Sequence, residues 1–235
     1  MISFVTFKWA TPGYRSTFAA SHVNTLRRMV ERHYPKTHEF VCVTDDFAGL
    51  DPQIKQVRLW DTHADVLSPH SSRFPSCYRR LRLFAPEAAE LIGERMVMLD
   101  LDAVIVGDIR PLIDRPEDFV AWSGTTRGGG YNCSLVLLRA GSRTRVWEEF
   151  NPTQSPRLAH SAGYVGSDQG WISYCLGKDA EQKFSKKDGV YSYRLDILPA
   201  RGRLPDDARI VFWNGQEDPW SEESQKLAWV RHHYR

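Results

Sequence analysis

The stretch MVMLDLDAVIVGDIRPL, which runs from Met96 to Leu112, decides the fold class of this chain. The segment Arg95 to Leu99 is almost wholly apolar and predicts a short strand buried on both faces. The strand ends at Asp100, and a second carboxylate, Asp102, follows two positions later. Side chains two residues apart in an extended chain point the same way, so both carboxylates are expected to face one spot.

Two carboxylates at one strand end repel each other, and a divalent cation relieves that repulsion. Hard oxygen ligands favour Mg²⁺ or Mn²⁺, which keep open positions for the oxygens of a diphosphate. Such a cation neutralises negative charge on a departing nucleoside diphosphate. An Asp-x-Asp pattern alone is weak, because most occurrences are surface accidents. This one is the only such pattern in the chain, and it follows a predicted buried strand.

Around this centre the sequence predicts strands that alternate with helices. The predicted strands are Ile2 to Lys8, Glu39 to Thr44, Ile54 to Trp60, Arg95 to Leu99, Phe119 to Ser123, Tyr131 to Leu138 and Arg209 to Trp213. The predicted helices run from Ser16 or Thr17 to Pro35, Ser76 to Ile92 with a break at Pro86, Ser142 to Phe150, Ser167 to Leu176, and Ser221 to His233. This alternation implies an α/β fold with a mainly parallel central sheet and helices on both faces. Ligands bind such sheets beyond the carboxyl ends of the strands, where Asp100 is expected.

The composition of the 235 residues is that of an ordinary globular protein, with a net charge of +2. The length suits one sizeable domain, although length alone also allows two small ones. No apolar stretch approaches the roughly 18 residues of a membrane span. The N-terminus shows no secretory signal, so a cytoplasmic protein is expected. The cysteines are widely spaced and are predicted to be reduced and buried; they are Cys42, Cys77, Cys133 and Cys175.

Four stretches carry a family resemblance. They are SCYRRLRLFAPE (Ser76 to Glu87), MVMLDLDAVIVGDIRPL (Met96 to Leu112), GGYNCSLVLL (Gly129 to Leu138) and GSDQGWISY (Gly166 to Tyr174). Their order and spacing resemble those of the GT-A fold glycosyltransferases, most closely family eight, the retaining galactosyl-, glucosyl- and glycogenin-like enzymes. With VFWNGQEDPW (Val211 to Trp220), the likeness spans most of the chain from Ser76 onward. The resemblance implies a single GT-A (Rossmann-like) domain over residues 1–235, with a nucleotide-sugar half at 1–110 and an acceptor half at 111–235.

The resemblance also implies roles on the diphosphate side of the donor. Asp100 and Asp102 would bind Mn²⁺ or Mg²⁺ and, together with Leu101, contact the ribose and diphosphate of the nucleotide sugar. Arg80, or alternatively Arg79, would neutralise phosphate or contact the sugar.

On the sugar side, Asn132 and Ser134 would line the donor-sugar pocket. Asp168 and Gln169 would be catalytic groups beneath the sugar. The residues alone also allow other roles, with Asn132 as a strand-end turn residue and Asp168 as a helix cap beside Ser167.

The C-terminal motif departs from the family pattern. Phe212 stands at the usual metal-ligand histidine, Asn214 at a second common histidine and Asp218 at a lysine. Only Gly215, Pro219 and Trp220 match, and Gly215 is expected at the nucleotide sugar. Phenylalanine cannot coordinate a metal, so the third ligand is left between the side-chain carbonyl of Asn214 and water.

The N-terminal nucleotide segment departs as well. Thr6 matches the family, but Lys8 and Trp9 occupy the stretch where an aspartate is usual. Lys8 is therefore a candidate phosphate partner. Trp9 or Tyr14 could stack on the base, although core packing is the commoner role of an aromatic residue. Uridine is the favoured nucleoside on the resemblance only.

The implied function is transfer of a hexose or pentose from a nucleotide sugar, with a UDP-sugar favoured, to an acceptor hydroxyl with retention. The acceptor is either a bacterial glycan or a hydroxymethylated base in phage-type DNA, in the cytoplasm of a bacterial or phage-infected cell. Basic residues that could follow a DNA backbone lie at Arg73 to Arg82, Arg127, Arg143, Arg145 and Lys183 to Lys187.

Two rival functions remain at this level. One is a non-catalytic module that binds a nucleotide sugar. The other is a sugar nucleotidyltransferase, which needs a glycine-rich loop after its first strand. The loop here, Lys8 to Ser16, has one glycine. The sequence makes no prediction of oligomeric state.

Overall fold

The secondary structure elements of the chain are short and alternate along most of its length. A computed structural model describes residues 1–10, 17–69, 71–124 and 129–235, with only the backbone of 71–75. The strands are β1 (Ile2–Lys8), β2 (His38–Thr44), β3 (Lys55–Arg58), β4 (Leu67–Ser68), β5 (Ser71–Pro75), β6 (Arg95–Leu99), β7 (Ala103–Ile105), β8 (Phe119–Trp122), β9 (Asn132–Arg139), β10 (Gln182–Phe184), β11 (Val190–Ser192) and β12 (Ile210–Phe212). The α-helices are α1 (Ala20–His33), α2 (Ala88–Leu91), α3 (Arg110–Ile113), α4 (Arg145–Glu148), α5 (Ser155–Ser161), α6 (Asp168–Leu176), α7 (Glu222–Gln225) and α8 (Ala228–His233). Tyr78–Phe84 and Lys186–Asp188 form 3₁₀ helices, and Tyr193–Ile197 forms a π-helical turn.

A central sheet of seven strands has the order β10-β8-β9-β6-β1-β2-β3. The pairs β1/β2, β2/β3, β1/β6 and β8/β10 are parallel, whereas β9 runs antiparallel to both of its neighbours, β6 and β8. The prediction of a mainly parallel sheet is therefore confirmed. A second sheet of three strands has the order β11-β12-β7, in which β7 and β12 are antiparallel.

Apolar layers cover both faces of the central sheet. Along β1, Phe4 packs into the layer that contains α1, and Val5 packs into the opposite layer with Leu81 and Trp171. Each fully buried side chain of this size contributes about 1.5–3 kcal/mol relative to an exposed one. Helices therefore lie on both faces of the sheet, as the sequence predicts for an α/β fold.

Three predicted helices differ from the structure in type or length. The predicted break at Pro86 is present in the segment Ser76 to Ile92, but the part before it is a 3₁₀ helix and the part after it is the single turn of α2. The segment Ser142 to Phe150 contains only the single turn of α4. The segment Ser221 to His233 contains two short helices, α7 and α8, instead of one.

The Asp100–Leu101–Asp102 tripeptide links the two sheets. It follows β6 of the central sheet and precedes β7 of the small sheet. The N–H of Asp100 donates to the carbonyl of Ser134 in β9 (3.0 Å), and the carbonyl of Asp102 accepts from the N–H of Trp213 after β12 (2.8 Å). Leu101 is buried in the core, whereas both aspartates are half-exposed. The backbone therefore holds the two carboxylates at the junction of the sheets.

Two simpler predictions concern the cysteines and membrane association. All four thiols are free, with Cys42, Cys133 and Cys175 buried and Cys77 half-buried. No helix among the described residues combines the length and the apolarity needed to cross a membrane.

Candidate active site

Arg80 joins two of the predicted site carboxylates. Its Nη1 lies 2.6 Å from Oδ1 of Asp100, and its Nε lies 2.7 Å from Oδ2 of Asp168. The side chains of Arg80 and Asp168 are only 10% and 3% exposed, so this pair is shielded from water, whereas that of Asp100 is 29% exposed. Burial alone would lower the pKa of Arg80, but the charges of Asp168 and Asp100 raise it well above its usual value. Arg80 is therefore a permanent cation at the centre of the site.

The two candidate arginines make different contacts. Arg80 makes both ion pairs, whereas Arg79 contributes its backbone carbonyl, which accepts a hydrogen bond from Nε1 of Trp60 (2.7 Å). That bond fixes the 3₁₀ helix on which Arg80 lies. Sequence spacing could not separate the two neighbours, because they differ by one position on the same turn.

Asp168 is the first residue of α6, and it is 2% exposed. The hydroxyl of Ser167 donates to Oδ1 of Asp168 (3.3 Å) and accepts from the N–H of Cys77 (3.1 Å). The N-cap position is occupied by Ser167, and Asp168 is already the first helical residue, so Asp168 is not the helix cap. Its carboxylate instead faces Arg80, and Ser167 ties the start of α6 to the segment before the 3₁₀ helix.

The half-buried thiol of Cys77 lies near this ion pair. Burial, opposed by the charge of Arg80, raises its pKa to about 11. A thiol with such a pKa stays protonated at neutral pH and is a poor nucleophile.

The predicted donor-sugar residues lie beside Asp100. Oδ1 of Asn132 accepts from the N–H of Ser134 (2.8 Å), and the carbonyl of Ser134 accepts from the N–H of Asp100. Asn132 therefore stabilises the local backbone, which is the alternative role that the sequence analysis gives it. Gly124 keeps it in place, since a Cβ at Gly124 would lie 2.4 Å from Cβ of Asn132.

Gln169, the second predicted catalytic residue, lies half-buried in the first turn of α6. Its Nε2 donates to the carbonyl of Val165 (3.3 Å). Gly166 makes room for it, because a Cβ there would lie 2.5 Å from Nε2 of Gln169, and φ at Gly166 is +90°.

The N-terminal residues lie on or just after β1. Thr6 is fully buried, and its hydroxyl has no hydrogen-bond partner among the described residues. Lys8 is 5% exposed, and its Nζ lies 3.6 Å from the exposed carboxylate of Asp46. Trp9 contacts Phe7 edge-on, with ring centroids 6.1 Å apart, so it has the packing role at least. Tyr14 lies outside the described residues.

The C-terminal motif packs beside Asp102. Phe212 is fully buried and stacks on Trp122, with ring centroids 5.0 Å apart. Oδ1 of Asn214 accepts from the hydroxyl of Ser192 (2.6 Å). A Cβ at Gly215 would make an ordinary contact with the side chain of Arg194, 3.4 Å away.

The residues present fit a hard divalent cation better than zinc. Among the described residues, no three side chains of His, Cys, Asp or Glu converge on a metal-sized site. Asp100 and Asp102 offer carboxylate oxygens, and Asn214, whose Oδ1 accepts from Ser192, is the predicted alternative to water as the third ligand. Mg²⁺ is commonly held by one or two carboxylates, substrate phosphates and water, so this donor set suits it or Mn²⁺.

Most of the basic residues proposed to follow DNA are paired with carboxylates. Arg143 binds Glu181 (2.5 Å), and Lys183 binds Asp179 (3.0 Å). Two further pairs within the described chain are Arg145 with Glu149 and Lys186 with Asp196. Arg127 and the side chain of Arg73 lie outside the described residues.

Two residues near the site had no signal in the sequence. Ser167 is linked to Cys77, 90 positions away in the chain. Tyr234 packs near Trp220, with ring centroids 6.2 Å apart, and Trp220 in turn stacks on His22 at 3.8 Å. Both depend on long-range packing that local patterns do not encode.

The chain is similar in structure to several glycosyltransferases. One is the galactosyltransferase LgtC in complex with donor and acceptor sugar analogues (16% identity, 97% of this chain and 93% of that one, TM-score 0.62). A second is GlyE of Streptococcus pneumoniae TIGR4 (14% identity, 99% of this chain and 63% of that one, TM-score 0.60). A third is mouse xyloside xylosyltransferase 1 in its apo form (13% identity, 90% of this chain and 97% of that one, TM-score 0.55). No protein-family model and no curated protein sequence matches the chain. At these identities the likeness shows the fold, which is the GT-A fold of glycosyltransferases.

Proposed function

We propose that this chain is a metal-dependent glycosyltransferase. It moves a hexose or pentose from a nucleotide sugar, with a UDP-sugar favoured, to a hydroxyl of a glycan acceptor. The observation that carries the proposal is the buried bridge of Arg80 between Asp100 and Asp168, in a chain with the fold of glycosyltransferases. The order of the sequence motifs supports the finer assignment to family eight and, with it, a retaining reaction.

On the diphosphate side, Asp100 and Asp102 would hold Mn²⁺ or Mg²⁺, with Asn214 or water as a further ligand. The cation would supply charge neutralisation for the leaving nucleoside diphosphate. Arg80 fixes the rotamer of Asp100 through its hydrogen bond to Oδ1. The buried ammonium of Lys8 is a second cation at the carboxyl end of β1, suited to a phosphate oxygen.

On the sugar side, the carboxylate of Asp168 is held by the guanidinium of Arg80 over 2.7 Å. A fixed negative charge beneath the sugar stabilises the positive charge that develops at the anomeric carbon as the diphosphate leaves. Asn132, Ser134 and Gln169 would bind the sugar hydroxyls. For retention, the acceptor hydroxyl attacks on the face that the diphosphate leaves, and an oxygen of that diphosphate takes its proton. This route asks for no strong base from the protein.

A glycan acceptor is favoured over DNA for two reasons. One neighbour in structure, LgtC, holds donor and acceptor sugar analogues. In addition, the ion pairs of Arg143, Arg145, Lys183 and Lys186 leave these cations already neutralised by the protein's own carboxylates. Location in the cytoplasm and the division into two half-domains stay predictions.

The test is incubation with a panel of nucleotide sugars and candidate acceptors in Mn²⁺, followed by mass spectrometry. The proposal expects a glycan heavier by one sugar and an equal amount of nucleoside diphosphate. A binding module would retain nucleotide sugar without releasing diphosphate. A nucleotidyltransferase would release pyrophosphate from a nucleoside triphosphate and a sugar phosphate. Labelling of hydroxymethylated duplex DNA, weakened by salt, would move the acceptor to nucleic acid.

A further inference from the structure

Two buried side-chain polar atoms among the described residues have no hydrogen-bond partner, and they are Oγ1 of Thr6 and the hydroxyl of Tyr234. A buried hydroxyl left unpaired costs about 1–3 kcal/mol, and such groups are rare in folded proteins. Thr6 belongs to the nucleotide segment predicted from the sequence. Tyr234 belongs to no motif, so its unpaired hydroxyl needs another explanation.

The position of Tyr234 is fixed from several sides. Its N–H donates to the carbonyl of Val230 (2.8 Å), at the end of α8. The guanidinium of Arg32 on α1 donates to the carbonyls of His233 and Arg235, 2.5 Å each, and so clamps the residues on both sides of Tyr234. The position of this ring is thus set by the fold.

This placement brings the phenol close to the proposed metal centre. α8 packs against β7, which begins directly after Asp102. Burial, then the carboxylates of Asp218 and Asp102, raise the pKa of Tyr234 above its usual value. A phenolic O–H can donate a hydrogen bond to a carboxylate.

Carboxylates that bind a metal are themselves held by hydrogen bonds from neighbouring groups. Arg80 does this for Asp100. The carboxylate of Asp102 requires support of the same kind if it binds the cation. The hydroxyl of Tyr234 is buried at the end of a helix that packs against the strand after Asp102, so it needs no access to solvent to play this part.

We propose that Tyr234 is a positioning residue for the metal centre, whose phenolic O–H hydrogen-bonds the carboxylate of Asp102 when that carboxylate turns to bind the cation. The inference rests on the proposed function, since it requires a cation at Asp100 and Asp102. The inference gives the residues around Tyr234 a part in the metal centre. The C-terminal motif itself has Phe212, which cannot coordinate a metal, at the usual position of a histidine ligand.

The test compares Tyr234→Phe with the wild-type protein in Mn²⁺ titrations, read by the electron paramagnetic resonance signal of free Mn²⁺, with and without UDP. The variant keeps the ring and loses only the hydroxyl. Loss of a supporting hydrogen bond to a metal ligand lowers metal affinity about tenfold or more. The melting temperature is expected to stay the same or rise, because the hydroxyl makes no hydrogen bond to any described residue.

Tyr34→Phe is the matched control. Tyr34 follows the C-terminal end of α1, and its hydroxyl donates to Oδ1 of Asp114 (2.9 Å). Loss of this hydrogen bond is expected to lower the melting temperature without changing Mn²⁺ affinity. Equal Mn²⁺ affinity of wild type and Tyr234→Phe would overturn the inference and leave the proposed function standing. A wild-type protein that binds no Mn²⁺, even with UDP, would contradict both the inference about Tyr234 and the proposed metal-dependent function.

Discussion

The Nε–H of Arg80 donates a hydrogen bond to Oδ2 of Asp168 over 2.7 Å, although the two residues lie 88 positions apart in the chain. The same guanidinium binds Asp100 through Nη1. One side chain therefore couples the strand end that carries the carboxylate pair to the start of α6. This coupling has consequences for stability as well as for the proposed reaction.

Replacing Arg80 with glutamine is expected to destabilise the protein strongly. The change leaves the buried carboxylate of Asp168 without its cation, and loss of one partner of a buried ion pair costs about 3–5 kcal/mol. Urea unfolding gives the free energy directly. Arg110→Gln is the control, because the pair of Arg110 with Asp108 is exposed and its loss is expected to leave the midpoint unchanged. Equal midpoints for the two variants would show that Arg80 is not a buried structural cation.

Gly166→Ala and Gly163→Ala form a matched pair. φ is +90° at Gly166 and +86° at Gly163, so both substitutions strain the backbone by about 1–2 kcal/mol. Only at Gly166 would the new Cβ collide with the side chain of Gln169, whereas Gly163 has nothing within 4 Å. We expect the melting temperature to fall in both variants, and further in Gly166→Ala, with sugar transfer reduced in Gly166→Ala alone. An equal loss of sugar transfer in both variants would contradict a role of Gln169 in the reaction.

The C-terminal turn is expected to lose stability in mild acid because of His233. Its ring centroid lies 4.7 Å from that of His232 and 6.0 Å from that of His33. Burial, followed by these rings and the charges of Arg32 and Arg235, lowers the pKa of His233 from 6.5 to about 4. The unfolded chain therefore takes up the proton first, and the contribution of His233 is complete above pH 6.5 and lost as the pH falls towards 4.

The measurement is the difference in unfolding free energy between wild type and His233→Gln at several pH values. The variant is expected to depend less steeply on pH between 6.5 and 4 than the wild type. Carboxylates titrate alike in both proteins and cancel in the difference. Parallel curves across this window would show that His233 does not titrate with folding.

Long apolar patterns made most of the fold predictable. β1 and β6 have the predicted bounds, because each is a buried run with apolar side chains on both faces. The strands β7, β10 and β11 have three residues each and leave no period to detect. These strands form because they pair with strands that are distant in the sequence. Local sequence patterns therefore do not predict them.

The site was predictable to the extent that it lies in contiguous motifs. Asp100, Asp102 and Asp168 follow from strand ends and motif order. The choice of Arg80 over Arg79 depends on which side chain of a 3₁₀ turn faces α6. Tyr234 depends on where the C-terminal turn packs. Local sequence determines neither which arginine side chain faces α6 nor where the C-terminal turn packs.

The central claim is that a cation held by Asp100 and Asp102 carries the donor diphosphate. The most direct test is release of nucleoside diphosphate from nucleotide sugars in Mn²⁺ by wild type and by Asp102→Asn. Asp179→Asn, on an exposed surface pair, is the control. We expect release by wild type and the control, its loss on chelation of the metal, and none by Asp102→Asn at an unchanged melting temperature. Wild-type turnover by Asp102→Asn would contradict the account.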